Sequence, residues 1–142
     1  MAATITLHQA LIYAMVTMSG VDGSIRGREI ERIGAIVDSA PVFSGFSRNG
    51  LARVVQECAE ILQQESGGLQ AVLGLITEAV PEDLKETAYA LAAEIAAADL
   101  MVAREELRFL SMLRDALNLS KLVTAALERS VIARHKTPSA PQ

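Results

Sequence analysis

The sequence predicts an all-α fold, a compact bundle of about seven helices built from a duplicated helix-turn-helix unit. Three observations carry this reading. Apolar residues recur at spacings of three and four almost throughout, and no stretch sustains the period-two alternation of a strand. One segment also repeats in residue type at a fixed offset of 77 positions.

The elements follow in order. Leu7, Leu11, Ala14, Met18 and Val21 form one face of a first helix, with Thr6 as its N-cap. Gly20 and Gly23 permit a turn, and a second helix carries Ile30, Ile33 and Ile36/Val37 inward. It ends before Pro41, which disfavours helix at Ala40. Val42 to Gly50 reads as a loop whose two aromatics are packed down. A third helix shows Leu51, Val54, Val55, Cys58, Ile61 and Leu62 on one face, and Gly67-Gly68 breaks it. Leu69, Val72, Leu73 and Ile76 define a fourth. Pro81 opens the fifth, where its missing N–H costs little, and Leu84, Ala88, Leu91, Ile95 and Ala98 face inward. The sixth repeats the second, and a seventh runs over roughly Ser120 to Ala133. Residues 1–135 thus form one domain, and the polar, Pro-containing tail 136–142 reads as disordered.

The repeat relates segment 7–38 to segment 84–115. The apolar pairs are Leu7/Leu84, Leu11/Ala88, Ala14/Leu91, Met18/Ile95 and Val21/Ala98, then Ile25/Val102, Ile30/Leu107, Ile33/Leu110 and Ile36/Leu113. These need no function, because both copies must bury a face. The polar pairs Asp22/Asp99, Glu29/Glu106 and Asp38/Asp115 say more. Each copy sets an Asp just after its first helix and a Glu seven residues on, near the start of the next. Packed about a pseudo-twofold axis, Asp22, Glu29, Asp99 and Glu106 would form one acidic cluster. Four carboxylates repel unless protonated or neutralised by a cation, and an all-oxygen set suits calcium, magnesium or manganese. The other reading makes them helix caps: Asp bonds the N–H groups of its own turn, and Glu suits the unpaired N–H groups of a first helical turn. An EF-hand is excluded, because counting from Asp22 puts Ile33 where the twelfth-position acid belongs. Asp38 and Asp115 sit near helix C-termini, against the dipole, where they pair with a neighbouring Arg, mark one end of an interaction surface or, as such residues more often do, simply face solvent.

Composition bounds the function. With 51% hydrophobic residues the chain is not intrinsically disordered, and a net charge of -4 argues against nucleic acid. One cysteine, Cys58, excludes a disulfide framework and a thiolate zinc cluster, which suits a cytoplasmic protein. The uncharged N-terminal segment lacks the basic residues of a signal peptide and is too interrupted by polar residues to span a membrane. Residues 57–106 hold 11 acids and 2 bases, and the remainder 6 acids and 11 bases. That bipolarity suits a homo-oligomer or a charged protein partner. His8 and His135 lie outside the elbows, His135 at the fraying end of the last helix, and Cys58 sits on an apolar face. With no phosphate loop, nucleophile elbow or HExxH motif, the reading is not an enzyme. A cation-binding module and a metal-free helical interaction module are the two functional expectations.

The elbow Val21-Asp22-Gly23-Ser24-Ile25 with Arg28-Glu29-Ile30, its counterpart from Ala98-Asp99 to Glu105-Glu106-Leu107-Arg108-Phe109-Leu110, and Leu117-Asn118-Leu119 resemble the TerB-like family of bacterial tellurite-resistance proteins. The resemblance covers most of Leu7 to Val131. It implies a duplicated all-helical domain acting in stress or envelope-associated complexes, with metal at the acidic elbows. By position Asp22, Glu29, Asp99 and Glu106 inherit that role. Leu100 stands where the family pattern has Gly, which implies a second elbow that is reshaped or inactive.

Overall fold

A computed structural model of the chain describes residues 4–20, 27–64, 66–98 and 104–138, with Arg28, Arg104 and Glu105 described by their backbone alone. Seven α-helices and three short 3-10 turns make up the described regular structure, with no strand among them. No described helix is long and apolar enough to cross a membrane.

Helix α1 (Leu7–Gly20) is the axis, with every residue from Ala10 to Ser19 buried. The sequence predicts one buried stripe, but α3 (Leu51–Leu62), α4 (Gly68–Ala79) and α5 (Lys85–Ala98) surround α1, and α2 (Gly27–Ser39) and α6 (Arg104–Ala116) also touch it. A helix apolar on all sides belongs in such a place. Its entry is fixed by a reciprocal cap: Thr6 Oγ1 accepts the Gln9 N–H at 3.1 Å, and Gln9 Oε1 accepts the Thr6 N–H at 2.8 Å. Helix α5 is also widely buried, with Tyr89, Ala92, Ala93, Ala96 and Ala97 inside besides Ala88 and Ile95. Its small side chains let it lie against α1 and α7 (Lys121–Arg134) at once.

The remaining elements follow their breakers closely. Ile33 and Val37 of α2 are buried, and the helix stops at Ser39 ahead of Pro41. Two 3-10 turns, Pro41–Phe43 and Arg48–Gly50, lead to α3. Phe43 is buried there and meets Phe46 edge-on at 6.1 Å. His8 of α1 contacts both rings, and its Nε2 lies 2.9 Å from the Val42 carbonyl oxygen, so the loop is held down as its aromatics predict. Pro81 does not open α5 directly. Its extended backbone precedes a 3-10 turn, Glu82–Leu84, and α5 starts one turn later than the sequence suggests. Ser120 caps α7 by accepting the Val123 N–H at 3.1 Å.

Helix α6 begins and ends 77 residues after α2. Besides its chain neighbour, α2 touches α5 and α6 touches α1. The two Asp residues near their C-termini each hold an arginine. Asp38 pairs with Arg48, which also donates to the Gly34 carbonyl at 3.3 Å. Asp115 pairs with Arg114 at 3.1 Å, and Arg114 donates to Ser111 Oγ at 3.2 Å. Helix α6 then closes on Asn118, whose φ of 58° is left-handed. The Leu119 N–H reaches the Arg114 carbonyl and the Asn118 N–H that of Asp115, the paired bonds of a Schellman stop.

Because α1 supplies the surface that most other helices cover, truncation on it is costly. Leu11→Ala, at a position 0% exposed, should lower unfolding free energy by about 2–5 kcal/mol, read as a lower urea midpoint with unchanged helical circular dichroism.

Candidate functional site

The acidic elbows frame the search. Asp22 and Asp99, with Gly23, Ile25, Leu100 and Val102 between or beside them, lie outside the described residues. Their partners are described. Glu29 is the third residue of α2 and Glu106 the third residue of α6, so both stand in first turns whose N–H groups have no helical acceptor. Both are half-buried, and each is engaged by a neighbouring group. Among the described residues, no three His, Cys, Asp or Glu side chains gather as a metal would require. One orphan borders the first elbow: Ser19 Oγ, near the end of α1, is buried without a hydrogen-bond partner among the described residues.

The other chemistry-bearing residues fall elsewhere. Cys58 is 0% exposed on α3, with Thr17 Oγ1 3.8 Å from its sulfur. Burial, only partly opposed by Thr17, pushes its thiol up to about 12. That makes it an inert core thiol, as its place on an apolar face suggests. His135 departs from the sequence reading. Rather than fraying, it caps α7, its N–H lying 3.2 Å from the Val131 carbonyl oxygen. Its Nε2 lies 3.1 Å from Glu94 Oε1 without hydrogen-bond geometry, and Arg134 Nη2 lies 3.2 Å from Glu94 Oε2, an ion pair that joins the last turn of α7 to α5. Sequence spacing could not show this, because the partners are some forty positions apart.

Sequence reasoning also missed an apolar groove of about 80 Å³ between α5, α6 and α7. Alanines of α5 floor it, Leu107 and Ile132 flank it, and Glu128 is its one charged lining residue. Tyr89, buried on α5, donates its hydroxyl to Glu128 Oε2 at 2.8 Å. Desolvation, reinforced by that carboxylate, raises the Tyr89 hydroxyl well above its ordinary value. A signal was present in the sequence: α7 carries apolar residues on every side, more than one buried face needs.

Alkaline titration follows from the buried acids. In the unfolded chain the Cys58 thiol ionises near its ordinary 9.0, but in the fold it stays protonated to about 12. The unfolded state therefore loses its proton first, and stability falls as pH rises through that window. Cys58→Ala should remove the early part of the decline. The remainder begins only above the ordinary tyrosine value of 10.0, with Tyr13 and Tyr89. Urea midpoints between pH 8 and 11 check it, the interval spanning the ordinary Cys and Tyr values.

Comparison with known proteins places this geometry. No curated protein and no solved structure gives a significant match. The family model described as Tellurite resistance protein TerB matches residues 8–128, from the first turn of α1 to Glu128 of α7. With most of its length, both elbows and the Leu117-Asn118-Leu119 stop inside that match, the chain belongs to the TerB family of tellurite resistance proteins.

Proposed function

We propose that this chain is a non-enzymatic helical module of a tellurite-resistance or related stress response, and that its elbows hold a divalent cation. Asp22, Glu29, Asp99 and Glu106 would supply the ligands. Their oxygens suit a hard ion such as calcium, magnesium or manganese. The observation that supports this most is the matched placement of Glu29 and Glu106, each third in a helix of 13 residues and each half-buried beside an acidic elbow. The orphaned Ser19 hydroxyl adds a polar atom at the first elbow that would accept an ion or its water. The module would work in the cytoplasm with a protein partner or a second copy.

A second reading has its own support. A Glu at the third residue of a helix answers unpaired N–H groups and the dipole without any ion. Both Glu residues are already engaged by neighbours. In that case the elbows are caps and the protein is an interaction module.

One experiment separates the two. Chelator-stripped protein is melted with calcium, magnesium, manganese or zinc, beside the double variant Asp22→Asn/Asp99→Asn. An ion at about a hundred times its dissociation constant should stabilise the fold by roughly 2.7 kcal/mol, several degrees for a domain of this size. Cation binding predicts a selective shift that the double variant loses. A midpoint that no ion moves would leave the carboxylates as caps.

A further inference from the structure

The exposed large hydrophobic side chains among the described residues are Leu107, Ile132 and Leu122, at 54%, 47% and 83% exposure. All three lie on α6 and α7. Leu107 and Ile132 flank the apolar groove, whereas Leu122 projects from the first turn of α7. Leu122 cannot fill the groove of its own chain. It stands ten residues before Ile132 on one rigid helix, ~15 Å along the axis.

The charges on α7 suit a contact between two copies. The groove carries Glu128, held by the Tyr89 hydroxyl, and no described cation pairs with it. Leu122 is flanked by two exposed cations, Lys121 beside it and Arg129 two turns on along the same face. Neither enters an ion pair among the described residues. The chain thus presents an apolar knob at the first turn of α7 and an apolar hole beside its last turns, with Lys121 at the knob and the neighbours Glu128 and Arg129 between the two.

We infer that α7 mediates a twofold dimer of this chain, in which Leu122 of each copy enters the Ala93–Leu107–Ile132 groove of the other and Lys121 and Arg129 meet Glu128. Two α7 helices crossing antiparallel about a dyad set the first turn of one beside the last turn of the other. Knob and hole are then used twice, as an isologous contact requires. Ala125, Ala126 and Ala133, all exposed on α7, let the two backbones approach. One helix and its flanking groove make a small interface, so the association is reversible and weakened by salt.

Sedimentation equilibrium of the full chain, from about 1 μM to about 1 mM, tests this. The wild type should pass from monomer to dimer, with the dissociation constant rising with ionic strength. Leu122→Asp alters a side chain already in solvent, so its circular dichroism should be unchanged while its dissociation constant rises about tenfold or more. Glu128→Lys and the double variant Lys121→Glu/Arg129→Glu should each self-associate poorly. Mixed together they should pair, because each of the two contacts then joins opposite charges. A wild type that stays monomeric throughout overturns the inference. So does a dimer that Leu122→Asp leaves intact, as when copies meet through another face, and so does a mixture that fails to pair.

Discussion

The burial of α1 on every side from Ala10 to Ser19 is the constraint on which the rest of this structure depends. A helix with no face left for water must be covered on every side, and here five other helices touch it. That requirement explains why its polar residues are few, the Ser19 hydroxyl being buried without a partner among the described residues. Thr17 faces the Cys58 sulfur, and Thr6 and Gln9 answer one another at the entry. It also fixes where the first elbow departs. The chain leaves α1 only after Ser19 has been buried, so the first elbow follows directly on the most constrained helix of the fold.

Helix α5 repeats this role in weaker form. Alanine replaces most of the bulk, so α5 is narrow enough to lie between α1 and α7. The same narrowness leaves the groove beneath Leu107 and Ile132, because alanines cannot fill the space that larger side chains would occupy. The closing helix is then tied down at its end by the Glu94 carboxylate, which approaches both Arg134 and His135.

Much of the fold was legible in the sequence because its signals are local. Pro41 stops α2, Gly67-Gly68 parts α3 from α4, and Thr6 caps the helix it precedes. Gly68 cannot be replaced freely, since a Cβ there would lie 2.5 Å from the Ile61 carbonyl oxygen. What escaped was set by distance along the chain. Periodicity gave α1 one inner stripe because it counts residues on a single helix and knows nothing of the helices opposite. The sequence leaves His135 at a fraying end because its neighbour Glu94 sits on another helix. For the elbows, spacing correctly put Glu29 and Glu106 in first turns, which is again a local matter. A meeting of four carboxylates depends on how the helices cross, and no single helix encodes that.

The arginine clamps at the ends of α2 and α6 carry a consequence for how this sequence can change. Arg48 lies over Gly34 so closely that a methyl group at 34 would collide with the guanidinium. At the matching station α6 has Ser111, whose hydroxyl accepts from Arg114, the next residue in chain to the Asp it serves. In one half the clamp is reached from a distant loop and passes over a glycine, whose missing side chain leaves room for the guanidinium. In the other it is reached from within the helix and uses an occupied position. A side chain at 34 would displace only the far end of the flexible Arg48 side chain, so either clamp can be lost for little more than one solvent-exposed ion pair.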